Sequence, residues 1–181
     1  MIKEVHVEFA CRDPIYAALK RWIPTHPQAR LMLLVDSCPH CFHLLFPCRV
    51  YGRYKTLAAL APVGLHVHLA FNRHWWVSQL TYEEQYLMLK NGVEFLKDCG
   101  VEPSHFVPGN FKFDKDTLKA CYALGLTVFH WEEREENKST VSWAKKEYPR
   151  MQFVSALKCY THDWTIHEKE SKHARARAIR G

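Results

Sequence analysis

The chain has 181 residues, of which 48% are hydrophobic and 24% are charged, and its formal net charge is +6. This length suits one domain with a substantial core, and the composition excludes a largely disordered chain. No apolar run approaches the roughly 18 residues that a transmembrane helix needs. Because the first residues alternate in charge and contain no apolar block, we expect no signal peptide, no membrane partner and a cytoplasmic location.

The positive charge is concentrated near the C-terminus. The segment 169–181 has a net charge of +4, which leaves the preceding 168 residues nearly balanced at +2. The sequence therefore predicts one folded domain over residues 1–168, followed by a flexible basic tail at 169–181. A domain dedicated to nucleic acid presents a basic face, so we expect no nucleic-acid partner.

Short apolar runs rich in β-branched and aromatic residues predict the strands. In chain order, the predicted strands are Val5–Phe9, Leu31–Val35, Val63–Ala70, His105–Val107, Thr127–Trp131 and Phe153–Tyr160. These runs are mostly apolar, which is typical of strands covered on both faces in a parallel sheet.

Helical patterns lie between the predicted strands. The predicted helices are Pro14–Trp22, Tyr54–Leu60, Thr81–Cys99 and a segment from Asp114 or Asp116 to Gly125. The third is the clearest, because Thr81 and Glu84 have the spacing of a capping box and Gly100 follows as a C-terminal stop.

The alternation of strands and helices indicates βαβ units, and hence an α/β fold with a parallel sheet of about six to seven strands. Such a sheet can be an open doubly wound structure or a distorted, incomplete (β/α) barrel. The alternation is the same in both, so the pattern alone does not separate them.

Two histidines in the third predicted strand are the first candidates for chemistry. In Gly64-Leu65-His66-Val67-His68, the imidazoles are two residues apart and therefore project from the same face of the strand. They also lie towards the C-terminal end of the strand, where parallel α/β folds carry their active sites. Alternate histidines also occur as hydrogen-bonded core residues, but this setting favours a pair that chelates one divalent ion.

A catalytic metal site also needs a third ligand and an open position. Asp36 is the leading candidate, because it follows the apolar run Leu31–Val35 and would lie at the C-terminal end of a neighbouring strand. Asp13 competes with it, although a carboxylate just before Pro14 also suits the start of a helix. Capping a helix or a turn is the alternative role for both aspartates.

A second polar group follows the last predicted strand, in Tyr160-Thr161-His162-Asp163-Trp164. A histidine and an aspartate at a strand end suit a general acid and the residue that orients it. The alternative is a surface turn without a catalytic role.

Tryptophans lie close to both groups of polar residues. Trp75 follows the two histidines, and Trp164 follows His162 and Asp163. Exposed aromatic rings bind sugars by stacking, which favours a carbohydrate substrate, whereas packing in the core is the more common role of tryptophan.

The segment Cys38-Pro39-His40-Cys41 contains two of the seven cysteines. A Cys-x-x-Cys pair occurs in zinc sites, in disulfides and in redox centres. No second pair with this spacing completes a structural zinc site, and reduced thiols are the expectation for a cytoplasmic protein.

Three successive motifs resemble those of the polysaccharide deacetylase family, carbohydrate esterase family four. They are Val63–His68, then His105–Phe111, and then a helix over Asp114–Leu126 that is similar to the family's "thr-leu-lys-ala-leu-x-x-leu-gly" pattern. With a late Thr-His-Asp at 161–163, the resemblance covers roughly Val63 to Trp164, over half of the chain. It implies a distorted (β/α) barrel, typically of seven strands.

The resemblance further implies metal-dependent hydrolysis of an N-acetyl or related amide. In that family a divalent metal, usually zinc, is bound by two histidines and an aspartate, polarises the carbonyl and activates water. An aspartate acts as base and a histidine as acid. The resulting assignments are metal ligands His66, His68 and Asp36; catalytic residues His162, Asp163 and Asp13; and substrate contacts Asn110, Trp75 and Trp164.

Two features of the sequence depart from the family. The first strand lacks the Thr-Phe-Asp-Asp-Gly motif, for which Glu8, Asp13 and Asp36 are imperfect substitutes, and Val107 replaces the arginine that orients the catalytic base. One alternative is therefore a non-catalytic binding or scaffold module. Another is a different His-x-His metallohydrolase, of amidohydrolase type, although its histidine pair lies on the first strand and two predicted strands precede His66 here.

Overall fold

The computed structural model describes residues 4–35, 47–68, 76–130, 134–155 and 160–180, apart from the side chains of 47–49 and 173–180. This part of the chain forms seven strands, β1 (Glu4–Val7), β2 (Arg30–Leu34), β3 (Val63–Val67), β4 (His105–Pro108), β5 (Thr127–His130), β6 (Phe153–Ser155) and β7 (Tyr160–His162). It also forms six helices, α1 (Asp13–Trp22), α2 (Pro47–Ala58), α3 (Tyr82–Asp98), α4 (Lys115–Ala123), α5 (Glu135–Glu147) and α6 (Asp163–Arg180).

The seven strands form one parallel sheet in the order β6-β5-β4-β3-β2-β1-β7. The sheet curls into a half-barrel, so the predicted incomplete (β/α) barrel is confirmed. The register pairs His6 with Met32, and Met32 with Gly64. Two residues further along the same strands, it pairs Leu34 with His66. These residues therefore lie in rows that run across the sheet. Because side chains alternate between the two faces of a strand, His6, Met32 and His66 point to the same, concave face.

The last predicted strand, Phe153–Tyr160, is wrong, because the structure divides that run between the two edges of the sheet. β6 pairs with β5 at one edge, and β7 pairs with β1 at the other. Five residue steps separate Ser155 from Tyr160, and an extended chain of that length spans at most about 18 Å. The two edges must therefore approach each other, which requires the sheet to curl.

The core has two layers. The larger layer packs the helices against the convex face of the sheet and includes Val5, Leu33 and Leu65. The smaller one fills the concave side and consists of Met32, Val107, Phe111 and Phe129, with Val154 packed against it. The concave side is therefore partly a packed apolar interior rather than an open pore.

Local capping explains why the strongest helix predictions are confirmed. Thr81 and Glu84 form the predicted capping box at the start of α3, and the side chain of Asp114 accepts a hydrogen bond from the Thr117 amide at the start of α4. The helices end before Gly100 and Gly125, which have φ values of 76° and 68°. Glycine tolerates this left-handed conformation, which stops a helix.

Helix α5 was not predicted, because its sequence is mostly polar. It buries Asn137, Val141 and Ala144, a narrow stripe that includes an amide. The Asn137 side chain donates a hydrogen bond of 3.0 Å to the Phe111 carbonyl. A polar residue with a tertiary role of this kind gives no apolar periodicity.

The C-terminal helix extends beyond the predicted domain boundary. α6 runs without interruption from Asp163 to Arg180, and Arg21 of α1 bonds Glu170 on it at 2.6 Å. Secondary structure thus does not mark a boundary at residue 168, and the flexibility of the tail stays a prediction. None of the helices in the described ranges is long and apolar enough to cross a membrane.

We predict that Gly64→Ala lowers the free energy of unfolding by about 1–3 kcal/mol, because overpacked cores are destabilised by that amount. A Cβ at Gly64 would lie 2.6 Å from Met32 Sδ and 2.9 Å from the His105 carbonyl oxygen. Urea denaturation measures the change. The matched control is Gly52→Ala, in α2, where a Cβ meets nothing within 4 Å. It should stabilise by roughly 0.5–1 kcal/mol, since alanine favours helix. Equal effects at the two sites would contradict the tight packing around Gly64.

Candidate metal centre

The concave face carries one carboxylate surrounded by imidazoles at the C-terminal ends of the strands. Glu8 directly follows β1, and its Oε1 lies 3.4 Å from His66 Nε2, 3.3 Å from His68 Nε2 and 3.5 Å from His162 Nε2. His66 lies in β3, His68 follows that strand, and His162 ends β7. The structure therefore brings together both predicted metal histidines and the predicted acid histidine.

Strand alternation and sheet curvature together explain this convergence. Glu4, His6 and Glu8 alternate along the first strand and its end, as His66 and His68 do on β3. The ring centroids of His6 and His66 are only 4.5 Å apart, although β2 lies between their strands. In a flat sheet, strands two positions apart are separated by roughly 9–10 Å. The curl therefore brings the side chains of the two strands into one cluster.

The hydrogen bond made by His66 identifies what this cluster lacks. His66 Nδ1 lies 2.9 Å from the Val107 carbonyl oxygen, which can only accept, so Nδ1 carries the proton. In a neutral ring, Nε2 is then a lone pair that faces the carboxylate of Glu8. Two acceptors at 3.4 Å repel each other unless a proton or a cation lies between them.

Burial disfavours a proton between the His66 ring and the Glu8 carboxylate. His66 has no solvent exposure, and burial, with the charges of His6 and His68, lowers its pKa to about 4. Burial raises the pKa of Glu8, but hydrogen bonds from the His66 and His68 rings and positive charge on them outweigh it and hold that pKa well below its usual range. A cation between these groups would favour the ionised carboxylate in the same way. Neutral imidazoles and an ionised carboxylate are the forms that bind metals.

The donor set therefore fits a divalent metal. A tetrahedral ion with bonds of about 2.1 Å separates its ligand atoms by about 3.4 Å. Glu8 Oε1 lies 3.3–3.5 Å from the nearest nitrogen of each of the three imidazoles, which matches that separation for each carboxylate–imidazole pair. Among the described residues, the donors that also lie within 4.8 Å of one another are those of His6, Glu8 and His66. Imidazole and carboxylate ligands suit zinc and other first-row transition metals.

A second carboxylate–imidazole pair lies on the same strand, behind the Glu8 cluster. His6 Nε2 is 2.7 Å from Glu4 Oε1, and both side chains are buried. Burial raises the pKa of Glu4 to about 7 and lowers the pKa of His6 to about 3. The donor atoms of His6, Glu8 and His66 all lie within 4.8 Å of one another.

Glycine at position 109 makes room for one of these histidines. A Cβ on Gly109 would lie 2.9 Å from His68 Nδ1 and 3.0 Å from the Val67 carbonyl oxygen. Because Gly109 is buried directly after β4, the backbone there forms a wall against the His68 ring. The next two residues, Asn110 and Phe111, have φ values of 51° and 54°. Such values are rare for a bulky residue like phenylalanine and store backbone strain beside the site.

Asp163 takes a different part from the predicted one of orienting His162. Its carboxylate accepts hydrogen bonds from the amides of Phe9, at 2.7 Å, and Trp164, at 2.9 Å. It therefore ties the start of α6 to the residue after Glu8. Burial raises the pKa of Asp163 to about 7. Its contacts suit a positioning residue for the Glu8 loop, and the predicted catalytic role stays a prediction.

The remaining predicted residues are spread more widely. Asp13, in the first turn of α1, forms an ion pair with Arg53 and is largely exposed. Asn110 is exposed beside the site. Asp36 and Trp75 lie outside the described residues, as does the Cys38–Cys41 segment, so the predictions for them stay predictions. The cysteines in the described ranges that the structure shows as free thiols are Cys11, Cys99 and Cys121.

An exposed aromatic surface borders the histidine cluster. Trp164 stacks on His162 with centroids 5.0 Å apart and an angle of 20° between the rings. Trp164 is 39% exposed and Tyr160, on β7, is 38% exposed. The Tyr160 ring also contacts Phe111, at 5.4 Å between centroids. One flank of the site is therefore formed by aromatic rings that solvent can reach.

Sequence reasoning missed Glu8 as the central carboxylate and missed His6 entirely. The predicted strand Val5–Phe9 contains both residues, and the motif comparison treats Glu8 only as an imperfect match to an aspartate motif. The alternation Glu4-x-His6-x-Glu8 is the signal that was available, because it puts three polar side chains on one strand face. Such a face is costly to bury unless the side chains pair or bind an ion.

Comparison with solved structures gives the class of fold. The chain superposes on a family 4 carbohydrate esterase from Streptomyces lividans in complex with acetate, with a TM-score of 0.55 and 12% sequence identity, over 89% of this chain and 77% of that one. It also superposes on a CE4 family pseudoenzyme from Bacillus anthracis, with a TM-score of 0.54 and 10% identity, over 98% of this chain and 61% of that one.

The chain thus has the fold of the family 4 carbohydrate esterases, which confirms the fold that the motifs implied. It spans about three fifths of the length of the pseudoenzyme. A mutant of that pseudoenzyme with restored enzymatic activity has the same fold, with a TM-score of 0.57 and 10% identity, over 97% of this chain and 61% of that one. No protein-family model and no curated protein sequence matches the chain.

We predict that Gly109→Ala weakens divalent-metal binding about tenfold, the size of effect seen when the support of a ligand is disturbed. The added methyl group would displace the His68 ring, whose Nδ1 lies 2.9 Å from its position. Titration calorimetry with Zn²⁺ measures the affinity, and circular dichroism checks the fold. Gly52→Ala is the control and should bind as the wild type does. Unchanged affinity in Gly109→Ala would show that the position of His68 does not depend on this contact.

Proposed function

We propose that the protein is a metal-dependent hydrolase that cleaves a carbon–nitrogen amide bond, an N-acetyl group on a carbohydrate being the leading substrate class. The observation that carries this proposal is the Glu8 carboxylate, which faces the Nε2 atoms of His66, His68 and His162 at the C-terminal end of the curled sheet. The shared fold with family 4 carbohydrate esterases supports the same reaction class.

Glu8, His66 and His68 would hold the metal, with zinc as the first candidate. When bound, the ion would polarise the amide carbonyl and activate water. The protein keeps these ligands ready, because the Val107 carbonyl holds the tautomer of His66 and Gly109 packs against His68. Glu8 would be the carboxylate ligand, the role that the sequence analysis gives to Asp36. Asp36 remains a proposed further ligand.

His162 would donate the proton to the leaving nitrogen. It is half-buried at the end of β7, where burial lowers the pKa of its ring and the charge of Glu8 opposes that shift. A lowered pKa makes the protonated ring a stronger acid, while it also reduces the fraction of rings that carry the proton. Asp163 would support it indirectly, by fixing the backbone on both sides of the site.

The aromatic flank supports a sugar as the group that carries the acetyl. Trp164 and Tyr160 expose their rings beside His162, and such rings offer an apolar face with polar edges around it. Asn110, two residues after β4, is exposed and would supply hydrogen bonds to hydroxyl groups.

A non-catalytic, deacetylase-like binding module is the second candidate. The observation in its favour is Asp13, at the start of α1, which is paired with Arg53 and largely exposed rather than placed as a catalytic base. Val107 also contributes a backbone carbonyl and apolar packing where the family has an arginine. A CE4 family pseudoenzyme with the same fold shows that such scaffolds exist without activity.

The decisive experiment compares the wild type with His66→Ala for metal content and for acetate release from acetylated amino sugars. We expect about one equivalent of divalent metal and measurable hydrolysis in the wild type, with both lost in the variant. His26→Ala, which removes a histidine stacked on Trp22, is the matched control and should keep both. Metal bound without hydrolysis would favour the binding module, and failure of the wild type to bind any divalent metal would overturn both the site and the reaction.

We predict that His162→Ala keeps the metal but lowers kcat by about 10²–10⁴-fold, the usual contribution of a positioned general acid. Steady-state kinetics with an acetylated amino sugar that the wild type hydrolyses measure the loss of kcat. Elemental analysis measures how much metal the variant binds. His167→Ala, one turn along α6, serves as the control for removing a nearby histidine. If His162→Ala loses the metal instead, the ring is a ligand and another group supplies the proton.

A further inference from the structure

His6, on the concave face, is an imidazole of the described part of the chain that neither the motifs nor the proposed reaction use. It lies two residues before Glu8 on the same face of the first strand and is 3% exposed. Its ring centroid is 4.5 Å from that of His66 and 5.2 Å from that of His162. It is therefore buried directly against the proposed metal ligands.

A donor atom of His6 lies close to the donor atoms of Glu8 and His66. One nitrogen of His6, a carboxylate oxygen of Glu8 and one nitrogen of His66 all lie within 4.8 Å of one another. Two ligands on one ion with bonds of about 2.1 Å can be separated by at most about 4.2 Å. Only a small side-chain adjustment separates the three groups from a common coordination shell.

Glu4 holds the His6 ring from the opposite side. Its Oε1 lies 2.7 Å from His6 Nε2, and its other oxygen has no hydrogen-bond partner among the described residues. When Glu4 is ionised, as a bound cation would favour, it can only accept; the proton of His6 is then on Nε2, and Nδ1 is a lone pair. In the described part of the chain, no hydrogen bond uses that Nδ1. Carboxylate–imidazole–metal relays have this construction.

We propose that His6 is a fourth protein donor to the metal, oriented by Glu4, in addition to Glu8, His66 and His68. This inference rests on the proposed function, since it concerns the same ion. The ion would give the two buried carboxylates, Glu4 and Glu8, a charge that balances theirs. Four protein donors also suit an ion that accepts five or six ligands, such as Co²⁺, Mn²⁺, Fe²⁺ or five-coordinate Zn²⁺, over a strictly tetrahedral one.

The test uses Co²⁺ as the probe, because its visible absorption reports the number and geometry of its ligands. Affinity and spectrum are compared for the wild type, His6→Gln, Glu4→Gln and the control His26→Gln. Glutamine at position 6 can still bond Glu4 but offers no imidazole. We expect His6→Gln to bind at least tenfold more weakly with an altered spectrum, and Glu4→Gln to lose 10–100-fold in affinity. His26→Gln should match the wild type.

The outcomes separate this inference from the proposed function. Unchanged affinity and spectrum in a folded His6→Gln would overturn the role of His6 and leave the site of Glu8, His66 and His68 intact. Absence of Co²⁺ binding in the wild type would overturn both. If circular dichroism shows that His6→Gln does not fold, Glu4→Gln decides, together with ¹⁵N-histidine NMR of the wild type. A metal-induced shift of a fourth imidazole nitrogen, besides those of His66, His68 and His162, would support the assignment, and its absence would overturn it.

Discussion

The carboxylate of Glu8, facing imidazole nitrogens from two other strands, is the interaction on which the rest of the site depends. One oxygen of this group lies 3.3–3.5 Å from the Nε2 atoms of His66, His68 and His162. A buried carboxylate is costly unless a positive charge or hydrogen-bond donors compensate it. Because His66 donates its Nδ1–H to the Val107 carbonyl, its Nε2 faces Glu8 as a lone pair when the ring is neutral. A cation would therefore satisfy both groups, which is the basis of the proposed metal site.

The fold supports this arrangement through backbone contacts that lie outside the motifs. Asp163, at the start of α6, accepts from the Phe9 amide and so fixes the residue that follows Glu8. Gly109 leaves the space that the His68 ring fills. The strained pair Asn110–Phe111 is held by the side chain of Asn137 from α5, which bonds the Phe111 carbonyl. Helices α5 and α6 and the residues after β4, none of which supplies a proposed metal ligand, therefore help to hold the backbone and side chains around Glu8 and His68.

The two departures from the deacetylase motifs have a physical explanation in the structure. Glutamate has one more methylene than aspartate, so Glu8 reaches the histidines from the end of a strand that lacks the aspartate motif. Val107 packs in the concave apolar layer and serves the site through its carbonyl oxygen, which needs no particular side chain. The same scaffold thus keeps a metal-type donor set while the residues around it differ.

The sequence by itself determined the elements and one strand face of the site. Apolar runs, capping residues and helix-stop glycines are local signals, so five of the strands, helices α3 and α4 and the projection of His66 and His68 followed from spacing. Only the tertiary structure decided that Glu8 and His162 meet that pair, and that Phe153–Tyr160 splits between opposite edges. Those facts depend on the curl of the sheet, which results from contacts between residues far apart in the chain, and no local pattern encodes which strand ends a closing sheet brings together.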